Sequence, residues 1–406
     1  MSRSGSERSR TALLIAVTAC FWAALYLYVP ILSPYAEVAG APMRLVGLIV
    51  SSYGFSQLVL RIPVGIWSDR IGRRKPFIVA GFVISAGSAA WLALAGGPWE
   101  ILAARALTGV SATMWVVITV LFSSYFSPER AGYAMSLIMF TNTISQLAAT
   151  LLGGLIAEWY GWTAPFWGAV FLGALGFILS TRIEEVETRK MGLSLGELAR
   201  VGRERLLLFV SGLGALYQVN TFVTVYGFTP NYAVELGASK AELGWLSLIS
   251  TLPTALATLA GGSVLAKRFS EYQLVVGGFV LITLSTFAIP YADSMFDLYW
   301  TQAVGGIGRG LVFPVLMALS IKQVPEQKRA TAMGFFQSIY AIGMFGGPAL
   351  GGVVAERLSL EGAFVTAGFA LLAGAAASAL WLPRLAPGAR SVRGSGAGAG
   401  GAGAAR

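Results

Sequence analysis

Apolar stretches long enough to cross a bilayer recur along almost the whole of this chain, and that recurrence limits the fold more than any motif does. TALLIAVTACFWAALYLYVPIL (11–32), LVGLIVSSYGFSQLVLRIPVGIW (45–67) and PFIVAGFVISAGSAAWLALAG (76–96) are the first three. Nine more follow near 101–125, 133–157, 163–181, 206–228, 243–265, 273–290, 298–320, 333–355 and 363–382. A run of roughly 20 apolar residues crosses a ~30 Å hydrocarbon core as a helix, because lipid offers no partner to free backbone N–H and C=O groups. The expected fold class is an all-α membrane protein with twelve transmembrane helices. Charged residues make up 12 % of the 406 residues, about half the usual share in soluble domains.

The first run follows a basic lead-in, MSRSGSERSR. Its apolar core exceeds the roughly 7–15 residues of a signal peptide, so it reads as a retained span. Cys20, the one cysteine, lies inside that span, and the chain has no histidine. An intrachain disulfide is impossible, and no metal site and no cofactor are expected.

A net charge of +10 would suggest nucleic acid in a soluble protein, but here the placement of the charge decides. With the chain starting in the cytoplasm, 23 of the 29 Lys and Arg fall on the cytoplasmic side. Arg44, Lys240 and Arg357 fall outside, and Arg61, Arg105 and Arg309 within spans. This asymmetry is the positive-inside rule and predicts a plasma-membrane protein with both termini in the cytoplasm. The expected partners are the bilayer and a small-molecule substrate, with no nucleic acid, and the chain reads as a monomer.

The polar segment 182–205 divides the spans into two groups of six, 11–181 and 206–384. A cytoplasmic segment, 1–10, precedes them, and a Gly/Ala-rich tail, 385–406, follows, with a composition that cannot bury a core. The halves repeat. GFV at 81–83 returns at 278–280 and Gly65 returns as Gly262, both at an offset of 197, while LGGLIAEW (152–159) returns as LGGVVAER (350–357). Parallel six-span repeats point to a transporter whose site lies at mid-depth between them.

The turn between the second and third spans, GIWSDRIGRRKP (65–76), packs five charges into seven residues. On this turn and two further motifs the chain resembles the major facilitator superfamily. Gly65, Asp69, Arg70, Gly72, Arg73, Arg74 and Lys75 fit that family's loop signature, and RALTG (105–109) resembles its Arg-x-x-x-Gly element of span four. Gly343, Gly347, Pro348, Gly351 and Gly352 fit the glycine-proline element of its antiporters, displaced here from span five to span eleven. The resemblance implies two pseudo-symmetric six-helix bundles and a secondary transporter working by alternating access, similar to the drug-efflux branch. It also implies that the charged turn is a clasp between halves that breaks when the inside opens.

The residues have a physical reading of their own. Gly65 would let a facing helix approach closely. Asp69 would accept hydrogen bonds from arginine and cap a neighbouring helix, and the basic residues would hold the turn inside. The second copy, GSVLAKRFSE (262–271), has Ala266 in place of the aspartate, so one half keeps the full clasp. In span eleven Pro348 and its glycines read as a packing hinge.

Charges inside the membrane are costly and mark function by default. Arg61 reads as structural, its stem snorkelling beside the clasp. For Arg105 the resemblance implies proton coupling, and helix packing is the other reading. Arg309 lies too deep to reach the surface and must face a wet cavity, a carbonyl or an anion. Gly305, Gly306, Gly308, Gly310 and Pro314 imply a bent helix with room beside it. Trp22, Tyr26, Trp115, Tyr217, Gln218, Asn220, Arg309 and Phe313 are the candidate cavity residues, with Asn142, Gln146 and Gln337 adding hydrogen bonds. A mostly apolar aromatic pocket suits an amphipathic organic molecule.

No carboxylate lies at mid-depth, and Glu158 and Glu356, at the outer ends of spans five and eleven, read as interfacial caps. The coupling partner is left between protons and a counter-transported solute. Without histidine, a nucleotide-binding glycine loop or a nucleophile set, no enzyme is expected. Three functions follow in order: an exporter of amphipathic compounds, an organic-anion importer or exchanger using Arg309, and a non-transporting membrane sensor or scaffold.

Overall fold

The computed structural model describes residues 2–127, 130–185, 196, 200–325 and 328–385, and every regular element among them is helical. Eleven helices are long and apolar enough to cross a membrane, and a shorter apolar one, Ala164–Ser180, completes the expected twelve. Span 1 comprises Ser2–Tyr26 and Val29–Val38, span 2 Met43–Ile71, span 3 Lys75–Leu94, span 4 Pro98–Ala112 with Trp115–Ser124, span 5 Ala131–Tyr160 and span 6 Ala164–Ser180. Span 7 runs Arg205–Val223, Thr224–Phe228 and Thr229–Glu235. Span 8 is Lys240–Ser263, span 9 Glu271–Ala288, span 10 Met295–Lys322, span 11 Arg329–Arg357 and span 12 Leu360–Leu385. The lead-in continues the helix of span 1 from Ser2 instead of leaving it. Most of the central segment (186–195 and 197–199) and the tail from 386 onward lie outside the described residues.

Local chemistry sets the helix ends. Gly72 closes span 2 with a left-handed φ of 71°, which glycine adopts without a Cβ penalty. Ser239 with Glu242 and Ser270 with Gln273 form capping boxes that start spans 8 and 9. Gly40 and Gly237, 197 residues apart, share φ of 88° at the ends of spans 1 and 7, so the repeat extends to backbone conformation. Spans 1 and 4 are interrupted near Tyr28 and Thr113, and span 7 widens into a π-helical turn at Thr224–Phe228. Such turns concentrate where a helix must present side chains out of register.

Span 4 packs on spans 2 and 3, and span 10 on spans 8 and 9, as the repeat demands. The halves meet where span 2 lies on span 11 and span 5 on span 8. Glycine makes both crossings possible. A Cβ on Gly47 would stand 2.2 Å from the Pro348 carbonyl oxygen, and one on Gly154 would stand 2.6 Å from Gly244 Cα. Outside these contacts the helices are clothed in exposed apolar side chains such as Phe171, Leu259 and Phe369, with Trp99, Trp159, Tyr160 and Trp300 near one rim, the pattern of a lipid-facing surface with an aromatic belt. Arg10, the 70–75 turn, Lys267, Arg268 and Lys322 make the other rim the basic end of the protein.

Candidate transport path between the halves

The charged turn is built as a unit inside the first half. Arg74 is buried, its Nη2 2.5 Å from Asp69 Oδ1 and its Nη1 3.2 Å from Ser68 Oγ. Glu185, just past span 6, accepts from the backbone N–H of Arg74 at 2.6 Å and of Lys75 at 2.9 Å, capping span 3. Its neighbour Glu184 pairs with Arg10 and accepts the Tyr125 hydroxyl through its carbonyl at 2.8 Å. Burial first, then the nearby Glu184 carboxylate, pushes the Tyr125 phenol up to about 12. Asp69 therefore holds its own turn here, and among the described residues nothing comes within 4 Å of a Cβ built on Gly65, so none of them makes the close approach expected there. Among the described residues, the Arg61–Tyr340 hydrogen bond joins the halves on the side of the basic end.

Arg61 does not snorkel. Its Nη1 donates across the interface to the Tyr340 hydroxyl at 3.0 Å. Arg105 finds aromatic partners rather than an acid: its guanidinium carbon stands 4.5 Å from the Tyr53 ring centre and 5.7 Å from that of Tyr28. Tyr28 Oη lies 3.1 Å from Thr108 Oγ1, which reaches Ser88 Oγ at 3.2 Å. A desolvated cation on a ring face gains about 2 kcal/mol.

Arg309 is buried among the walls of the second half. Its Nη2 donates to Ser250 Oγ at 2.6 Å, the Ser250 carbonyl at 3.4 Å and the Gln302 carbonyl at 3.3 Å. At the depth of Arg309 the glycines do not leave room beside span 10; space opens only nearer the basic end, past Gly310 at Pro314. A Cβ on Gly306 would be 2.6 Å from the Ser250 oxygen, one on Gly308 2.7 Å from the Gly278 oxygen and one on Gly310 2.3 Å from the Thr254 oxygen. Spans 8 and 9 have closed onto span 10, and the missing side chains serve that approach. Span 11 behaves likewise: Cβ atoms on Gly343, Gly347 and Gly351 would meet Ala215, Val219 and Phe228 of span 7, and one on Gly352 would meet Met43 and Gly47 of span 2. Pro348 lies within an unbroken helix whose carbonyl oxygen faces Gly47.

Aromatic rings line the junction from both halves. Trp22 contacts Trp115 edge-on at 5.1 Å and Tyr26 at 5.5 Å. Tyr26 meets Tyr226 at 6.0 Å, and Tyr53 stacks on Phe222 at 6.3 Å. Tyr217 stacks on Phe313 at 4.9 Å, and Phe313 continues to Phe336 and Tyr340. Among the described residues the buried Trp22 indole N–H has no partner, which leaves a donor for an acceptor on a bound molecule. Gln218 is buried beside Tyr217. Asn220 turns away from the junction, its amide donating to Thr286 of span 9 at 2.8 Å. Asn142 and Gln146 hydrogen-bond each other along span 5, and Gln337 is half-buried on span 11.

The end opposite the basic end is locked. Glu158 of span 5 accepts from the N–H of Lys240 at 2.9 Å and Ala241 at 3.4 Å, at the start of span 8 in the other half. Glu356 of span 11 accepts from Arg44 N–H at 3.0 Å, at the start of span 2. The two caps are reciprocal, each half stopping the other's helix. Glu37 of span 1 accepts from the Asn231 amide at 2.7 Å, and the Ser33 hydroxyl, with one proton to donate, lies against both Asn231 Oδ1 and, at 2.5 Å, the Gly227 carbonyl oxygen. Lys240 also lies 4.9 Å from the Trp162 ring.

Sequence reasoning missed Tyr53, Tyr226, Ser250, Glu37 and Asn231. YGFTPNY (226–232) was the available signal, a polar aromatic run at the end of an otherwise apolar span. Among the described residues no cluster of His, Cys, Asp and Glu fit to hold a metal exists.

Comparison with known proteins agrees with this architecture. The Major Facilitator Superfamily profile matches residues 14–232 and 208–404, the first covering the first half and most of span 7, the second covering the second half. Inner membrane transport protein YajR of Escherichia coli (strain K12) is 28 % identical over 372 residues, covering 88 % of this chain and 78 % of that protein. A multi-drug resistance efflux pump PmrA homolog of Lactococcus lactis is 23 % identical over 380 residues, covering 90 % and 93 %. The crystal structure of a bacterial homolog to the human lysosomal transporter Spinster, inward-facing and unoccupied, superposes with a TM-score of 0.76 at 16 % identity, covering 92 % of this chain and 96 % of that one. Twelve spans, a two-fold repeat readable residue by residue and a family match to both halves lead to one conclusion: the chain is an integral membrane protein of the Major Facilitator Superfamily, a secondary transporter and not an enzyme.

Proposed function

We propose that this transporter exports small amphipathic organic compounds by alternating access, with the basic end and both termini in the cytoplasm. The observation that carries this reading is the aromatic lining drawn from both halves, Trp22, Tyr26 and Trp115 facing Tyr226, Tyr217 and Phe313. Flat apolar rings with few polar groups accept varied lipophilic shapes. The deep arginines support the same reading, because Arg105 is occupied by tyrosine faces and Arg309 by Ser250 and Gln302. The name of the Lactococcus relative, an efflux pump, points the same way. In the orientation proposed, the described conformation is closed to the outside and parted at the cytoplasm, and the Asp69 turn is a clasp that engages the second half only when the inside closes.

A second reading has its own observation: the three charges inside the spans are all arginine, with no interior acid, a field that favours an organic anion. Thermal stabilisation of the purified protein by a panel of cationic, neutral and anionic compounds separates the two. Stabilisation by lipophilic cations or neutral compounds, kept in Arg309→Ala, is the expected result. Stabilisation confined to anions and lost in Arg309→Ala would replace the exporter with the anion importer or exchanger. Flux that survives collapse of the proton gradient but is stimulated by substrate on the far side would identify a counter-transported solute as the coupling partner.

A further inference from the structure

The two copies of the charged turn differ in what fills the space beneath them. In the first half Arg74 folds back, almost fully buried, onto Ser68 and Asp69. In the second half the counterparts of Asp69 and Arg74, at the offset of 197, are Ala266 and Glu271. Glu271 turns to Lys322 instead, at 2.6 Å. A cavity of about 390 Å³ is left between spans 8, 9 and 10, within the roughly 300–1,000 Å³ of small-molecule sites and away from the aromatic junction.

The walls of this cavity and its rim differ in chemistry. Gly261, Gly262, Ala266, Leu274, Pro314 and Val315 make the walls mostly apolar, and Thr258 and Ser270 add two hydroxyl-bearing residues. The rim carries the Glu271–Lys322 pair, with exposed Lys267 and Arg268 alongside. Among the described residues neither Lys267 nor Arg268 is in an ion pair. The flanking Val264 and Phe269 are exposed, so the mouth borders the lipid-facing surface. An apolar slot under three cations and one acid is complementary to a hydrocarbon chain beneath an anionic headgroup.

We propose that this slot binds an anionic phospholipid from the leaflet at the basic end, an acyl segment lying along Gly262 and Pro314 and the phosphate on Lys267, Arg268 and Lys322. Burial of methylenes supplies adhesion, and the basic rim supplies the preference for negative charge. The lipid then occupies in the second half the place that Arg74 occupies in the first. It wedges the end of span 8 from outside the substrate path, independently of which compound is carried.

The full-length protein in detergent is examined by native mass spectrometry and thermal unfolding with phosphatidylglycerol, phosphatidylcholine or inorganic phosphate. Gly262→Leu plugs the slot, and among the described residues a Cβ there meets nothing within 4 Å, so the backbone is not pushed apart; thermal unfolding without lipid checks that the variant is folded. Ala318→Leu plugs it from the opposite wall. The expected results are retention of phosphatidylglycerol by wild type, about tenfold weaker retention in either plugged variant, and loss of the preference over phosphatidylcholine in Lys267→Gln/Arg268→Gln. Equal retention in wild type and both plugged variants overturns the proposal, as does an undiminished anionic preference in the rim variant. Stabilisation by inorganic phosphate alone overturns it too, in favour of a site for a soluble anion.

Discussion

At the basic end the Asp69 turn and Glu185 bond within one half; at the opposite end Glu37, Glu158 and Glu356 bond between halves. Asp69 holds Arg74, and Glu185 caps span 3, all in the first half or the segment leaving it. Glu158 and Glu356 instead cap helices of the half they do not belong to, and Glu37 holds Asn231 in the same way. The first arrangement makes a turn rigid so that it can move as a body. The second makes a latch, because a carboxylate on a helix N-terminus gains strength from the dipole and is still exchangeable for water. Alternating access needs halves that part at one end while they are held at the other.

The comparison breaks most completely if the latch is pried open. Gly154→Val would place a branched side chain against the Gly244 backbone, where even a Cβ stands at 2.6 Å. Overpacking of this kind costs about 1–3 kcal/mol or more. Spin labels at Val38 and Val234 are expected to move apart in this variant and substrate flux to stop; an unchanged distance would show that spans 5 and 8 do not hold that end.

Asp69→Asn comes next. It releases Arg74 from a charged hydrogen bond of about 1.5–3 kcal/mol, so flux is expected to fall about ten- to a hundredfold, since each 1.4 kcal/mol is a factor of ten, with the protein still folded by thermal unfolding. Wild-type rates would reduce the turn to a topological signal. The smallest effect belongs to Tyr340→Phe, which removes only the hydroxyl that Arg61 reaches across the interface. A net loss of about 1 kcal/mol in the closed state is expected as a faster opening of the opposite end, read from the same labels, with little change in unfolding temperature.

How much of this was legible in the sequence depended on range. Twelve spans, two halves and the charged turn follow from hydropathy and charge along the chain, which act locally. The repeat even located Glu158 and Glu356 as caps, because their positions recur beside the same LGG run. What they cap was hidden, since the partner N–H groups belong to the other half. Arg105 lacked a visible partner for the same reason: Tyr53 and Tyr28 reach it from two other spans, and nothing in RALTG encodes that register. The glycines around Arg309 carried an ambiguity of sign, because an absent side chain leaves either a space or a place for a neighbour. The Ser250, Gly278 and Thr254 oxygens resolve it as the second.

The most direct test is of the latch itself. Distances are measured by pulsed electron resonance in a Cys20→Ser background, with one label pair at Val38 and Val234 and another at Ile71 and Val264. Wild type is compared with Glu158→Gln/Glu356→Gln. Each cap contributes about 0.3–1 kcal/mol, so the double variant is expected to raise the population open at the Val38–Val234 end about three- to thirtyfold, while the Ile71–Val264 distance shortens. Distances that do not respond, or that lengthen at both ends together, would contradict the claim that reciprocal carboxylate caps hold one end of this transporter closed while the other stands open.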